Sequence, residues 1–411
     1  MRICILGADG YLGWPTSMYL SARGHEVLGV DSCVKRRLES DLGVAPLDEV
    51  ADFEYRAERW NALTGKKIET VRGDIYTEPG LISYIFAKYR PEAIIHYAEQ
   101  PSAPYSMMDR ETCTYTQVNN VVGNLNVMFA MHDHCPDAHL IKLGTMGEYG
   151  TPNIDIEEGW IEITHRGRTD RMIYPKKPAS FYHCSKVHDS TNLEFACRSW
   201  GMRVTDLNQG VVYGIDTDEM AADPEELRTS FHYDDVFGTA LNRFVVQAAI
   251  GMPLTVYGDG SQTRGYLNIK DTLQCVELAA LNPADAGEFR VFNQFTESFS
   301  VLELAQWVQR VAQERGLRVE LQNLPNPRVE AAKHYYNPVH TALLDLGLQP
   351  HLLNDAVIDR MLERALASKE RVRHSSIAPR VTWQNGKTAK TSRVGTIEGR
   401  EAFSHAGSAT R

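Results

Sequence analysis

The segment Gly7-Ala-Asp-Gly10-Tyr-Leu-Gly13 decides the fold, because it stands between a short apolar run and a predicted helix. The run Arg2–Leu6 predicts a first strand, and residues 11–21 predict the helix. Glycines at these positions let the backbone approach a pyrophosphate, whose negative charge is favoured at a helix N-terminus. The spacing therefore predicts a dinucleotide-binding loop at the start of a parallel sheet.

Strand and helix patterns continue to alternate after this loop, up to about residue 208. Further strands are predicted at Glu26–Asp31, Ile68–Arg72, 93–97, 139–143, 204–207 and 289–292, and helices at Pro79–Tyr89, 116–134 and Phe181–Trp200. Such alternation is typical of parallel sheets with helices on both faces. We predict an α/β fold, a Rossmann-like doubly wound parallel sheet with a smaller C-terminal substrate-binding domain.

The chain divides into three predicted parts. Residues 1–208 form the dinucleotide-binding domain, to which the chain returns near 239–281, and residues 209–373 form mainly the substrate domain. Residues 374–411 are polar and predict a partly disordered tail. The charged stretch 32–67 is long for a strand-to-helix connection, which indicates either a functional or an oligomer element.

Composition excludes several classes of protein. The 411 residues carry a net charge of −10, which argues against nucleic acid or an anionic membrane as partner. The seven cysteines are scattered without a CxxC pair, so we expect reduced thiols, no metal site and a cytoplasmic location. No apolar run reaches membrane-spanning length, and Met1 leads directly into the first strand, so we expect no signal peptide. A plastid stroma is expected only if a transit peptide has been removed.

The second predicted strand ends in Asp31, where a carboxylate accepts hydrogen bonds from the ribose hydroxyls of NAD and repels the 2′-phosphate of NADP. Arg36 and Arg37 lie close by in sequence and leave that preference open. The predicted cofactor ligands are Gly7, Asp9, Gly10, Tyr11, Leu12, Gly13, Asp31, Arg36, Asp74 and Ile75, joined by Tyr182 and Lys186.

The segment Tyr182-His183-Cys184-Ser185-Lys186 predicts a proton-transfer pair, since residues four apart share one face of a helix. An ammonium beside a phenol favours the phenolate, which lowers the pKa of the tyrosine. Such a tyrosine takes a proton from a sugar hydroxyl while a nicotinamide takes the hydride. Thr145, at the end of a predicted strand, could bond the same hydroxyl, and Glu148 could project into the same pocket.

These motifs together resemble the extended short-chain dehydrogenase/reductase superfamily of nucleotide-sugar enzymes. Longer blocks resemble one branch of it, the UDP-sulfoquinovose synthases; they include His96-Tyr-Ala-Glu-Gln-Pro-Ser-Ala-Pro-Tyr-Ser106, Leu143-Gly-Thr-Met-Gly-Glu-Tyr-Gly150 and Asp206-Leu-Asn-Gln-Gly-Val-Val-Tyr-Gly214. The resemblance implies NAD as cofactor, UDP-glucose and sulfite as substrates, and a homodimer paired through helices 116–134 and Phe181–Trp200.

The resemblance also implies a mechanism and a set of catalytic residues. Tyr182 and NAD oxidise C4 of the glucose, a base removes the C5 proton as the C6 hydroxyl leaves, sulfite adds at C6, and the hydride returns to C4. The family's proton-transfer set falls on Thr145, Tyr182 and Lys186. Its lyase residues fall near Met146, Glu148 and His183, of which we favour Glu148 as the base.

For the UDP end, we predict that Arg264 and Arg328 bind the pyrophosphate, because guanidinium groups match phosphate oxygens. Further predicted substrate contacts are Gln100, Tyr105, Asn208, Thr239 and Arg243. One departure matters: Pro101 stands where the family usually has an arginine, and proline offers neither charge nor donor. A sulfite-independent 5,6-dehydratase or 4-epimerase of a nucleotide sugar or nucleoside is therefore the alternative function.

Overall fold

A computed structural model describes residues 1–329 and 335–383. Its strands are β1 (Arg2–Leu6), β2 (Glu26–Asp31), β3 (Ile68–Arg72), β4 (Ala93–His96), β5 (His139–Thr145), β6 (Trp160–His165), β7 (Arg168–Ile173), β8 (Arg203–Gln209), β9 (Val211–Tyr213), β10 (Leu254–Tyr257), β11 (Thr263–Asn268), β12 (Phe289–Gln294), β13 (Glu297–Ser300) and β14 (Leu321–Leu324). Its α-helices are α1 (Gly13–Ala22), α2 (Val34–Leu42), α3 (Phe53–Thr64), α4 (Pro79–Tyr89), α5 (Ala103–Ser106), α6 (Arg110–Gln117), α7 (Gly123–His134), α8 (Phe181–Trp200), α9 (Ala240–Ala249), α10 (Ile269–Leu281), α11 (Val301–Glu314), α12 (Ala342–Asp345) and α13 (Asp355–Ala367).

Seven parallel strands form the central sheet, in the order β3-β2-β1-β4-β5-β8-β12. Strands β1 and β4 are nearly continuous buried apolar runs, as expected for a sheet covered by helices on both faces. The order reverses between β1 and β4, and ligands bind at the carboxyl ends of the strands beside such a reversal. The predicted fold class is confirmed.

The sequence analysis placed the segments that return to the first domain near residues 239–281. The chain also returns to the central sheet after residue 281. The edge strand β12 pairs with β8 and lies beyond residue 281, although its own position was predicted. Two small sheets, β13-β11-β9 and β10-β14, form the other layer. They pack with helices α9, α11 and α13 around a separate apolar core.

The predicted helix 116–134 is interrupted. A π-helical turn over Val118–Val122 separates α6 from α7, and Asn120 lies within it. Its side chain accepts a hydrogen bond from the Gln100 backbone N–H at 2.8 Å and donates to Ser185 Oγ at 3.0 Å. Such turns are frequent at functional sites. Here the turn joins the loop after β4 to α8.

Helix α8 has well-defined ends, which fix the position of its first turn. The Ser180 hydroxyl accepts a hydrogen bond from the His183 backbone N–H at 3.2 Å, as an N-cap does. Gly201 ends the helix at φ +74°, a conformation that suits glycine. Tyr182 and Lys186 therefore lie in the first turns of a rigid, 20-residue helix.

Two segments outside the central sheet are ordered. The charged stretch 32–67 forms α2 and α3, and part of the predicted tail, residues 374–383, packs on the protein. Arg380 pairs with Asp235 at 2.7 Å, and Val381 is buried. Residues 384–411, the rest of the predicted tail, lie outside the described residues. All seven cysteines are free thiols, and no described helix combines the length and apolar character needed to span a membrane.

Candidate active site

The main cavity has a volume of about 650 Å³ and lies at the carboxyl ends of the central strands. That volume is typical of a ligand site. The predicted residues that line it are Gly7, Asp9, Gly10, Tyr11, Leu12, Gly13, Asp31, Arg36, Asp74, Ile75, Gln100, Thr145, Tyr182, His183, Thr239 and Arg328. The cavity thus brings together the glycine loop and the first turn of α8.

Two glycines of the loop, Gly7 and Gly13, have no room for a side chain. Gly7 adopts φ +86°, and a Cβ there would lie 2.7 Å from the Ala98 backbone nitrogen. A Cβ on Gly13 would overlap the carbonyl oxygen of Gly7. On the far side of the loop, the Tyr11 hydroxyl donates a hydrogen bond to the Gly214 carbonyl at 2.6 Å. The loop therefore fits the close backbone approach that a dinucleotide pyrophosphate requires.

Asp31 ends β2 with its carboxylate turned back onto the loop. It accepts hydrogen bonds from the backbone N–H groups of Asp9 and Cys33, at 2.8 and 2.7 Å. Burial, followed by the Asp9 carboxylate, raises the pKa of Asp31 to about 6. Asp74 accepts from the backbone N–H of Tyr76 at 2.8 Å, which closes the wall beside Ile75.

Arg36 lies on the cavity wall, but its guanidinium is committed within the protein. It donates to both oxygens of Asp9, at 2.7 and 2.8 Å, and to the carbonyls of Val50 and Ala51. Asp9 also pairs with the buried Arg56. Asp9, Asp31 and Cys33 are near enough to resemble a metal-ligand group, yet these contacts already use the Asp9 carboxylate. These contacts therefore occupy the Arg36 guanidinium within the protein.

The predicted proton-transfer residues meet where β5 ends. Lys186 donates to the Leu143 carbonyl at 2.6 Å, which ties α8 to β5. Its ammonium lies 5.9 Å from the centre of the Tyr182 ring. Thr145 lines the cavity and accepts from the Gly147 backbone N–H at 3.1 Å, so its own hydroxyl proton remains available. Lys186 itself lies behind the cavity wall, 3% exposed.

One part of the sequence argument needs correction. Lys186 was expected to lower the pKa of Tyr182, but burial and the Glu99 carboxylate raise that pKa. The largest cause is burial of the phenol, and the next is Glu99, which forms an ion pair that the spacing did not predict: its Oε2 lies 2.7 Å from Lys186 Nζ. The Glu99 carboxylate thus offsets the positive charge of Lys186 close to the phenol.

Glu148 does not project into the cavity as the sequence analysis expected. Its carboxylate is fully buried, 3.0 Å from Lys176 Nζ and 3.7 Å from Lys142 Nζ, and these ammonium groups lower its pKa to about 2 despite burial. The short turn after Thr145 directs the side chain inward. Met146 likewise faces the interior, in an apolar cluster with Tyr149. Neither residue contacts the cavity directly.

His183 does line the cavity. Its Nδ1 lies 3.0 Å from the Ser180 hydroxyl, and its ring packs so closely on Gly147 that a Cβ there would clash. Burial, then the positive charges of Arg328 and Arg264, lower the pKa of His183 to about 3. The imidazole is therefore neutral at pH 7, the form that accepts a proton.

A second cavity of about 150 Å³ adjoins the first, and Arg328 lines both. It holds the three predicted arginines, Arg243, Arg264 and Arg328. The Arg243 guanidinium lies 4.4 Å from the Tyr257 ring centre, and that of Arg328 lies 5.3 Å from the ring centre of Trp383. Guanidinium groups beside aromatic faces form a suitable site for a nucleotide diphosphate.

Three predicted substrate contacts have other roles in this structure. Asn208 is buried and donates to the Tyr149 hydroxyl at 2.8 Å, because its position on β8 faces the interior. Tyr105 packs its ring against Tyr115 in an apolar cluster. Gln100 reaches the cavity, but its amide braces the backbone of Ser102. Neither Asn208 nor Tyr105 lines the main cavity.

The charged insertion serves the site. Residues of α2 and of the following loop, among them Lys35 and Glu39, form one wall of the main cavity. Facing them is His232, whose Nε2 lies 2.6 Å from Lys35 Nζ and 2.9 Å from Glu39 Oε1. Pro101 also lines the cavity and adds no charge there.

Sequence reasoning missed a buried charged cluster behind Tyr182. Its members are Glu99, Lys142, Glu148, Lys176, Lys186, Asp189 and Asp206, all with side chains less than one-tenth exposed. Asp189 makes no hydrogen bond within the described chain, and burial raises its pKa well above the usual range. A neutral Asp189 leaves three carboxylates facing three ammonium groups. Charged residues inside predicted strands and helices were the available signal.

The geometry defines a class: a nucleotide-sugar enzyme of the short-chain dehydrogenase type. The pattern of the NAD dependent epimerase/dehydratase family matches residues 3–293. The chain is 55% identical to the chloroplastic UDP-sulfoquinovose synthase of Spinacia oleracea over 383 residues, 93% of this chain and 79% of that protein. It is 42% identical to the UDP-sulfoquinovose synthase of Sulfolobus acidocaldarius over 394 residues, 95% of this chain and 99% of that one.

The protein belongs to the NAD dependent epimerase/dehydratase family and, within it, to the UDP-sulfoquinovose synthases. The UDP-glucose 4-epimerase of Bifidobacterium longum, solved with NAD+ and UDP, shares the fold at a TM-score of 0.65 and 19% identity. That match covers 92% of this chain and 100% of the epimerase.

We predict that NAD affinity falls as the pH drops through about 6, the pKa of Asp31. The protonated carboxyl is a weaker acceptor for ribose hydroxyls, so affinity at pH 5 should be about tenfold below that at pH 7. Titration of nucleotide-free protein between pH 5 and 8 measures this. Asp31→Asn should bind weakly at every pH, and an unchanged pH dependence in that variant would assign the titration to another group.

Proposed function

We propose that this protein converts UDP-glucose and sulfite into UDP-sulfoquinovose and water, in a cycle that uses NAD. Both curated relatives described above are named for this activity, at 55% and 42% identity. The observation that carries the proposal is the junction of two cavities through Arg328, one with the glycine loop and Tyr182 and the other with three arginines. A UDP-sugar spanning the junction would bring its hexose to Tyr182.

The first step falls to Tyr182 and Thr145. Thr145 bonds the C4 hydroxyl, and Tyr182 Oη takes its proton after the phenol has lost its own, a loss that the positive charge of an oxidised nicotinamide would favour. Bound NAD would supply the acceptor for the C4 hydride and, once reduced, the donor that returns it at the end of the cycle. Lys186 holds α8 against β5 through the Leu143 carbonyl, so that the phenol keeps its place at the strand end. The resulting C4 ketone acidifies the C5 proton.

We propose His183 in place of Glu148 as the base at C5, because only His183 lines the cavity. The arginines that lower its pKa, Arg328 and Arg264, are the proposed pyrophosphate ligands. A bound diphosphate offsets their charge and raises the basicity of the imidazole. Loss of the C5 proton and the C6 hydroxyl gives an enone, and sulfite adds at C6.

The alternative, loss of water or inversion at C4 without sulfite, rests on Pro101. This residue lines the cavity and supplies neither a positive charge nor a donor for sulfite. The same Tyr182 and His183 chemistry then ends at the unsaturated sugar or at the epimer.

We also propose a homodimer formed through α7 and α8. Phe129 and Phe195 on these helices are 52% and 55% exposed, and Phe129 packs on Trp200 with ring centres 5.1 Å apart. Exposed aromatic residues on two adjacent helices are typical of an interface. An aqueous compartment, cytoplasm or plastid stroma, suits such an enzyme.

Incubation with UDP-glucose, with and without sulfite, followed by mass spectrometry, tests the proposed reaction. We expect a sulfonated nucleotide sugar only when sulfite is present. Tyr182→Phe should reduce its formation by a factor of about 10² or more, because the C4 proton loses its acceptor. Release of water without sulfite, or an isomer of unchanged mass, would favour the alternative function.

A second experiment separates His183 from Glu148. In D2O, His183→Asn should still reduce the bound cofactor with UDP-glucose but should exchange the C5 proton about 10² to 10⁴ times more slowly. Glu148→Gln should mainly lower thermal stability, since it leaves the buried Lys176 without its carboxylate and Lys142 with Asp206 alone, a change that costs about 3–5 kcal/mol. Normal exchange in His183→Asn, with selective loss in a folded Glu148→Gln, would return the role to Glu148.

A further inference from the structure

Glu99 has no role in the mechanism above, although it lines the main cavity. It follows β4 at the carboxyl edge of the sheet, and its side chain is 2% exposed. Its Oε2 lies 2.7 Å from Lys186 Nζ, and its Oε1 lies 3.9 Å from His96 Nε2. Within the described chain, neither oxygen accepts a further hydrogen bond of good geometry. A buried carboxylate with so few contacts needs a reason to be charged.

The reason is Lys186. Burial lowers the pKa of His96 to about 4, so this histidine is neutral and offers no charge. Lys142 is taken up by Glu148 and Asp206, at 3.7 and 3.5 Å. Among the described residues, Glu99 is therefore the single carboxylate in an ion pair with Lys186.

We propose that Glu99 is the counter-charge of Lys186 and that this pair sets the balance between the oxidised and reduced forms of the bound cofactor. The proposal rests on the proposed function for its use of NAD. The nicotinamide is positively charged when oxidised and neutral when reduced. An unopposed ammonium beside it favours the reduced form, and a carboxylate that cancels this ammonium restores the oxidised form.

The same pair acts on Tyr182. The titratable groups that face this phenol are Glu99, Lys142, Glu148 and Asp189, in addition to Lys186. Among the carboxylates that raise the pKa of Tyr182, Glu99 contributes most. Removing its charge therefore leaves the positive charge of Lys186 uncompensated near the phenol. In a cycle that begins and ends with oxidised cofactor, Glu99 would hasten return of the hydride to the sugar.

The direct test compares affinities for NAD+ and NADH, measured by fluorescence titration without any sugar. Glu99→Gln should move the ratio of the two dissociation constants about tenfold toward NADH, the equivalent of one pKa unit. It should also speed reduction of the loaded protein's NAD by a neutral amine–borane, followed at 340 nm, by a similar factor. Glu99→Asp, which keeps the charge, should shift both values less.

Asp189→Asn is the matched control, since it makes the same carboxyl-to-amide change in the same buried cluster. Its carboxyl is held neutral, so the ratio should stay at the wild-type value. An equal ratio in wild type, Glu99→Gln and Asp189→Asn would overturn the proposal.

A second pair of variants tests the proposal if Glu99→Gln does not fold because it leaves the Lys186 ammonium unpaired. Lys186→Met also removes the reason for Glu99 to be charged, so both groups become neutral and the ratio should stay near the wild-type value. Lys186→Met with Glu99→Gln should give the same ratio, because Glu99 acts only as the counter-charge of Lys186. A tenfold shift in Lys186→Met, or a difference between it and the double variant, would overturn the role of Glu99. Because this titration uses no sugar, its result does not depend on whether the protein converts UDP-glucose.

Discussion

The geometry of the site depends on the contacts that the Lys186 ammonium makes. It joins α8 to the central sheet through the Leu143 carbonyl, and it joins both to the loop after β4 through Glu99. Tyr182, one turn earlier on α8, is thereby held beside the end of β5, where Thr145 lies. Three elements that are distant in sequence therefore contact one charged group. These contacts place the first turns of α8 where Tyr182 can act in proton transfer.

Behind that contact lies a buried set of charges that functions as a unit. Lys142 bridges Glu148 and Asp206, and Lys176 closes the set from the other side of Glu148. Buried ion pairs seldom add stability over apolar packing, but they penalise arrangements that leave a charge alone. The cluster therefore favours one placement of the turn after β5, which sends Glu148 inward and leaves His183 at the cavity.

Local sequence patterns predicted the backbone well, since they depend on local physics. The glycine loop, Asp31 and the bounds of α4 and β3 follow from steric demands and hydrophobic patterning within short segments. The π-helical turn at Val118–Val122 does not, because its cause is a contact between Asn120 and the distant Gln100.

For the site, spacing identified Tyr182 and Lys186 but not the sign of the electrostatic effect. That sign depends first on the burial of Tyr182 and then on Glu99, which is 87 residues from Lys186 in the chain and 2.7 Å from it in space. The inward orientation of Glu148 and of Asn208 is likewise a matter of tertiary partners, Lys176 and Tyr149. Residue type and position indicated candidates, and only packing decided which of them reach the cavity.

The central claim is that one enclosed site removes a hydride from C4 of the sugar and returns it to the same carbon. Turnover of UDP-glucose carrying deuterium at both C4 and C5, in ordinary water, tests this most directly when the product is examined by NMR. We expect deuterium to be retained at C4 and replaced by solvent hydrogen at C5. Loss of the C4 label, or its retention together with an untouched C5 deuterium, would contradict the claim.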